Sequence, residues 1–164
     1  MEPGCRKEKT PQFHHVNDIV PTIYDILKID LPQVVNGVTQ IPLDGISMAY
    51  SFSDAKARDR KHTQFFDIMG SRGIYHDGWF AGVAGPRIPW VPGRPDISNW
   101  DPLKDTWELY NIDEDWSQAN DLAAKMPDKV NFMKSLFLVE SAENKNLPIG
   151  GGLWSILVHP EDGP

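Results

Sequence analysis

His14 and His15 are the side chains best suited to chemistry, because an imidazole changes its protonation state near neutral pH. They stand directly before a segment with helical spacing that starts at Asn17 or Asp18. Two adjacent histidines at a helix start cannot both face the same way, so we expect at most one of them to line a binding site. The structural alternative is an imidazole that is hydrogen-bonded to the end of the helix.

Other residue types that take part in catalysis lack suitable neighbours. The single cysteine, Cys5, lies in a charged N-terminal run and cannot form a disulfide within the chain, so we interpret it as a free thiol. His62, His76 and His159 are isolated and show no metal-ligand spacing. No serine lies in a Gly-Xaa-Ser-Xaa-Gly nucleophile elbow. The sequence therefore predicts no catalytic residue and no metal ligand in this chain.

Two short segments resemble ligand-binding loops only in part. Asn111 to Trp116 begins like a calcium-binding EF-hand loop, but Trp116 and Leu122 stand where glycine and glutamate are needed. We predict a solvated acidic turn there. Gly150 to Gly152 lacks the lysine and the following helix of a phosphate-binding loop.

A first helix is predicted up to Lys28, with an end near Ile29 to Pro32. Asp18 is the predicted N-cap, and Pro21 falls in the first turn, where its missing N–H costs little. Apolar residues recur at helical spacing along one side: Ile19, Ile23, Ile26 and Leu27.

Four strands are predicted from composition and turn chemistry. The first is predicted over Gln64 to Met69. Arg72 to His76 and Trp79 to Val83 flank Asp77-Gly78, a strong hairpin signal. A last strand is predicted over Thr106 to Asn111. Arg72 and Trp79 are interpreted as structural residues.

The segments between these elements are predicted to be irregular. Residues 32–60 are expected to be mostly loop, with turns at Asn36-Gly37 and Asp44-Gly45 that favour positive φ at glycine. The basic run Lys56 to His62 is interpreted as a solvated loop. Gly85 to Trp100 contains four prolines and is expected to be an irregular loop.

The second helix is predicted from about Pro127 to Glu143. Val130, Met133 and Phe137 form an apolar stripe that must be covered, because burying each such side chain is worth roughly 1.5–3 kcal/mol. The small sheet is the expected partner. The fold class is therefore α+β: three or four antiparallel strands packed by one long C-terminal helix, after a leading helix.

Composition restricts the classes of partner. The chain has 164 residues, 40% of them hydrophobic, which is enough for one domain with its own core. A net charge of −7 argues against nucleic acid, which requires a cationic face. No apolar run reaches the roughly 20 residues of a membrane span. The N-terminus has no apolar signal core, which leaves the compartment open.

Five blocks, in order, resemble bacterial alkyl/aryl sulfatases of the formylglycine-dependent sulfatase family. Their order and spacing agree over roughly residues 12–154. The blocks are Phe13 to Thr22, Pro42 to Ser47, Gly70 to Trp79, Trp107 to Asn111, and Ser117 to Ala123.

The resemblance implies a two-part fold of the alkaline-phosphatase-like superfamily and places this chain at its C-terminal end. Residues 1–45 would belong to the edge of a larger α/β catalytic domain, and residues 46–62 would be a connecting loop. Residues 63–146 would form the C-terminal subdomain, and residues 147–164 a tail.

Similar enzymes hydrolyse sulfate esters with a formylglycine, made from a cysteine, and a calcium ion, both held upstream of the His14-His15 segment. Cys5 lacks the proline and arginine that should follow such a cysteine. The resemblance therefore implies an inactive piece whose partners are the upstream catalytic domain and, for the complete enzyme, a small sulfate ester. It also places His14 and His15 at the mouth of the substrate pocket. Phe80 stands where many similar enzymes have lysine.

Two other interpretations stay open at this stage. In the first, the chain would be a scaffold or binding module that has lost catalysis. In the second, it would be a subunit that complements a separate catalytic chain. A large exposed apolar patch on the leading helix would favour a fragment or a complementing subunit, and a closed surface that is mostly polar would favour the scaffold.

Overall fold

A computed structural model of the chain describes residues 11–68, 70–85 and 100–149. It divides into two compact units, Met1–His62 and Thr63–Pro164. In the described part of the chain, none of the helices has both the length and the apolar character needed to cross a membrane.

The first unit begins with a 3-10 turn, Val16–Asp18, followed by helix α1, Ile19–Leu27. Lys28 ends the helix in the left-handed conformation, with φ 54°. Asp18 occupies the N-cap position of α1, as predicted, but its side chain does not cap the helix. Asp18 already has helical dihedral angles, φ −80° and ψ −13°, and makes no side-chain cap hydrogen bond to α1. The extended residue that starts the turn is His15.

The stretch 32–60 is mostly loop, as predicted, and contains three short regular elements. Strands β1, Val34–Val35, and β2, Val38–Thr39, pair as a short antiparallel hairpin, and helix α2 spans Ala49–Ser53. The predicted turn at Asn36-Gly37 is confirmed, since Gly37 has φ +81°.

Gly45 does not adopt the predicted positive φ. A Cβ atom at this position would lie 1.9 Å from the carbonyl oxygen of Asn17. Glycine is needed here because the backbone of this loop lies directly against the start of the leading helix.

The second unit contains a four-stranded antiparallel sheet in the order β3-β4-β5-β6. Its strands are β3, Thr63–Ile68; β4, Ser71–His76; β5, Trp79–Val83; and β6, Glu108–Asn111. The hairpin at Asp77-Gly78 is confirmed, with φ values of 44° and 79° at the two residues. Such a pair of left-handed residues matches the twist of the flanking strands.

Helix α3 spans Pro127–Glu143, as predicted. Val130, Met133 and Phe137 are buried and pack with the sheet residues Ile74 and Leu109. The expected fold class, a small antiparallel sheet packed by one long helix, is confirmed. Cys5, the glycines 150–152, His159 and most of the loop predicted for Gly85 to Trp100 lie outside the described residues.

Candidate functional site

His14 contacts helix α2 with its imidazole ring. Its Nε2 atom lies 3.2 Å from the Oγ atom of Ser51, and its ring packs edge-on against Tyr50 with the centroids 5.8 Å apart. The Nδ1 atom of His14 is buried and has no hydrogen-bond partner among the described residues. Among the described residues, one nitrogen of this ring therefore has no hydrogen-bonding role.

His15 has a structural role at the start of the 3-10 turn. Its Nδ1 atom accepts from the backbone N–H of Asn17 at 3.5 Å, and its own N–H donates to Asp18 Oδ2 at 2.8 Å. This matches the structural alternative predicted for one of the two histidines. The substrate contact predicted for His14 or His15 remains a prediction.

Asp18 and Lys61 form a buried ion pair that the sequence did not reveal. The Lys61 ammonium lies 2.7 Å from Asp18 Oδ1, and the two side chains are 6% and 0% exposed. Lys61 also donates to Asn17 Oδ1 at 2.7 Å. The interpretation of Lys56 to His62 as a solvated loop is therefore wrong for Lys61, because its side chain is buried. Its partner Asp18 lies 43 residues earlier in the chain, so no local pattern marked the contact.

The Asp18 carboxylate is saturated by the donors around it. Besides Lys61 it accepts from the backbone N–H groups of His15 and Ile46. Burial raises the pKa of Asp18, but the hydrogen bonds from Lys61 and from these two N–H groups outweigh it and bring the pKa below its usual value. The ionised carboxylate thus ties three parts of the first unit together next to His14 and His15.

The Gly45→Ala variant should test how closely this loop lies against the helix start. The added methyl group would overlap the Asn17 carbonyl, so the backbone must shift and weaken the bond from Ile46 to Asp18. We expect a loss of about 1–3 kcal/mol in the free energy of unfolding, measured by urea denaturation. A loss within about 0.5 kcal/mol, as for ordinary surface changes, would contradict the close approach.

The acidic segment Asn111 to Trp116 is a hydrogen-bonded turn. Asp115 Oδ2 accepts from the Asn120 N–H at 2.8 Å, and Asp115 Oδ1 accepts from the Ser117 hydroxyl at 2.8 Å. These bonds, with that from the Asn120 backbone as the largest influence, lower the pKa of Asp115. Its carboxylate oxygens therefore stabilise the turn between β6 and α3.

Arg72 has the structural role that the sequence predicted. Its guanidinium forms an ion pair with Asp105 at 2.9 Å and donates to the carbonyl oxygens of Gly70 and Pro102. The side chain is 1% exposed, so these contacts hold the loop before β6 against the sheet.

Trp79 packs against the core and carries the Lys129 ammonium 4.3 Å from its ring centroid, which connects β5 to α3. The neighbouring Phe80 covers two glycines on the opposite face of the sheet. Cβ atoms at Gly73 and Gly82 would lie 2.6 and 2.8 Å from its ring. Phe80 therefore packs over the backbone where a lysine would extend a charge.

The described residues do not fit the calcium ion that the family resemblance implies for the complete enzyme. Among them, no three histidine, cysteine, aspartate or glutamate side chains come together as a possible metal site. The most buried carboxylate, Asp18, is engaged by Lys61 and two backbone N–H groups. Hard cations require several free oxygen ligands, and this arrangement offers none at Asp18.

A scan against protein-family models and a search of curated proteins found no match. Solved structures do match. BT4656, solved in complex with its substrate D-glucosamine-2-N,6-O-disulfate, has a TM-score of 0.50 and 15% identity over 82% of this chain and 25% of BT4656. A Bacteroides thetaiotaomicron protein of glycosaminoglycan metabolism, BT33336S-sulf, has a TM-score of 0.48 and 18% identity over 77% of this chain and 24% of that one.

A third structure, Ps i-CgsB, has a TM-score of 0.42 and 18% identity over 71% of this chain and 21% of that one. These three neighbours are sulfatases, and the chain spans about a quarter of their length. At such identities the likeness concerns the fold alone, and the BT4656 match is the one that carries it. The chain has a sulfatase-like fold, with the α+β arrangement of the C-terminal region of these enzymes.

Proposed function

We propose that this chain is the C-terminal part of an arylsulfatase, a sulfuric ester hydrolase that releases sulfate and an alcohol or phenol. The observation that carries the proposal is the order of elements. A leading helix, a four-stranded antiparallel sheet and one long helix follow each other in this chain, its fold is similar to that of BT4656 at a TM-score of 0.50, and five sequence blocks resemble the sulfatase family in order.

In this proposal the reactive centre belongs to the upstream catalytic domain. The formylglycine and calcium ion of the complete enzyme would supply the nucleophile and the charge that polarises the sulfate oxygens. The residues of this chain would shape the pocket mouth. The Asp18–Lys61 pair anchors the segment that carries His14, and the His14 imidazole is the group we assign to contact with the organic part of the ester.

The isolated chain should not hydrolyse 4-nitrophenyl sulfate, because in this proposal the formylglycine nucleophile and the calcium ion belong to the upstream catalytic domain. The measurement is release of 4-nitrophenol by the purified chain of 164 residues. The positive control is the same chain joined to the polypeptide encoded upstream of the Met1 codon. This longer protein should hydrolyse the ester. Turnover by the isolated chain, or none by the joined polypeptide, would contradict the proposal.

A complementing subunit is the second candidate function. It would carry the same fold but meet its catalytic domain as a separate chain. The exposed apolar side of α1, on which Ile23 is 50% exposed, supports a fragment or a complementing subunit over a closed scaffold module. Activity that appears only when the two separate polypeptides are mixed would favour this candidate.

A further inference from the structure

Arg60 lies over the ring of Tyr50, the residue that also contacts His14. Its guanidinium carbon is 4.5 Å from the centroid of the Tyr50 ring, and its backbone N–H donates to the Tyr50 hydroxyl at 3.3 Å. The same ring meets the His14 imidazole edge-on, with the centroids 5.8 Å apart. Both the side chain and the backbone of Arg60 are thus held at Tyr50, which places a cation next to His14.

The segment that carries Arg60 is anchored on both sides of this residue. Asp59 accepts from the backbone N–H of Phe13 at 3.2 Å, and Lys61 is buried against Asp18 at 2.7 Å. Arg60, between these two inward-facing residues, is exposed. Its neighbours therefore fix the backbone at Arg60 while its guanidinium stays accessible to a ligand.

The guanidinium of Arg60 keeps its N–H donors available. Among the described residues it has no hydrogen-bond acceptor and no carboxylate within ion-pair distance. The carboxylate of Asp25 responds to its charge, but the Ser47 hydroxyl at 2.6 Å and the Lys28 ammonium at 3.0 Å already bind that carboxylate, and these two groups are the main causes of its lowered pKa. A guanidinium that stacks on a ring can still donate from its edge.

We infer that Arg60 binds a second oxyanion, a carboxylate or a sulfate, on the organic part of the sulfate ester. The inference rests on the proposed function, because that function puts His14 against the organic group. The guanidinium carbon and the centre of the imidazole border one ring and lie no further apart than their two distances to it together, so one small molecule can contact both. The planar fork of a guanidinium matches either oxyanion with two parallel hydrogen bonds. Arg60 is then a specificity-determining residue for esters that carry an additional negative charge.

A solvated cation is the alternative role for an arginine in this basic segment, and Arg58 represents it. Arg58 is exposed and forms no hydrogen bond, ion pair or ring contact with any described residue. It adds only a diffuse positive potential, which salt screens. Arg60 differs because its side chain is already ordered on Tyr50, so binding an oxyanion there costs less conformational entropy.

The test compares Arg60→Met with Arg58→Met in the joined polypeptide, in which this chain follows the upstream catalytic domain. Methionine keeps an unbranched apolar side chain that can cover the Tyr50 ring, and it removes the charge. Each protein is assayed with phenyl sulfate, with 4-carboxyphenyl sulfate and with 4-sulfonatophenyl sulfate, whose sulfonate stands in for a second sulfate that cannot be hydrolysed. The measured quantity is kcat/KM for each anionic ester divided by kcat/KM for phenyl sulfate. Comparing this ratio between variant and unmodified protein cancels differences in leaving-group reactivity.

Arg60→Met should lower the ratio at least about tenfold, because a charge-assisted hydrogen bond is lost. The loss should arise mainly in KM, since the contact is to a part of the ester that does not react. Arg58→Met should leave the ratio unchanged. A loss with only one of the two anionic esters identifies the oxyanion that Arg60 binds. An unchanged ratio in Arg60→Met, or equal losses in both variants, would overturn the inference.

Binding of the same three esters, measured by calorimetry, separates this inference from the proposed function. Turnover with an unchanged ratio in Arg60→Met rejects only the role of Arg60. Binding of the anionic esters that depends on Arg60, without turnover, rejects only the sulfatase function. Neither turnover nor binding rejects both.

Discussion

Replacing Asp18 with asparagine should lower the free energy of unfolding by about 3–5 kcal/mol. The Lys61 ammonium is 6% exposed and lies 2.7 Å from the carboxylate, so the variant leaves a buried cation without its counter-charge. The asparagine oxygen can still accept on one side, but the NH2 group faces an N–H donor on the other, so the variant removes the charge together with one accepting oxygen. The measurement is urea denaturation of both proteins at pH 7.

A double-mutant cycle separates the pair from general loss of packing. Lys61→Met removes the cation, and the variant with both changes removes both charges while it keeps the side-chain volumes. The doubly substituted protein should be more stable than Asp18→Asn alone, because no buried charge remains uncompensated. Losses that simply add would show that the two side chains are not coupled.

Acid should act on the same ion pair. Because the folded state lowers the pKa of Asp18 below its usual value of 3.8, its contribution to stability is present above about pH 3.9 and is lost as the pH falls through the folded pKa. The Asp18→Asn variant has no titratable group at position 18. Its stability should therefore fall less steeply with acid than that of the wild-type chain below about pH 4.

Local signals were sufficient for the second unit. The limits of α3 match because Pro127 is suited to the first turn and Val130, Met133 and Phe137 keep helical spacing. Asp77-Gly78 fixed the hairpin, because few other residue pairs accept two left-handed conformations in succession. These features depend on neighbours within a few residues, and sequence patterns report such neighbours directly.

Sequence patterns did not predict the contacts between segments that are distant along the chain. Asp18 has the residue type and position of an N-cap, yet its carboxylate binds Lys61 and Ile46 from later in the chain. Gly45 looked like a turn glycine, but its backbone lies against Asn17. In both cases the deciding neighbour is far away along the chain, so no local pattern marks it.

At the candidate site, too, the sequence identified local features and missed contacts with distant residues. The sequence identified His14 and His15 and the rule that their rings diverge, but not which ring the helix start uses. The structure assigns His15 to the turn and leaves one buried nitrogen of His14 without a partner among the described residues. The Asp18–Lys61 pair beside them connects this segment to residue 61.

Replacing Phe137 with alanine should lower the free energy of unfolding by about 3–5 kcal/mol. The ring is 1% exposed, stacks on Phe65 with centroids 5.0 Å apart, and meets Trp107 edge-on at 5.4 Å. Its removal leaves a cavity between α3 and the sheet that these two rings cannot fill without leaving their present positions. The measurement is urea denaturation followed by tryptophan fluorescence, because Trp107 borders the cavity.

Phe132→Ala is the matched control on the same helix. Its ring is 51% exposed and contacts His76 at a centroid distance of 5.7 Å, so its loss should cost less than about 1 kcal/mol. The two variants have the same change in volume and almost the same helix propensity, and they differ only in burial. If Phe137→Ala also cost less than about 1 kcal/mol, α3 would not cover the sheet in solution, and the fold shared with the sulfatases would lose its main support.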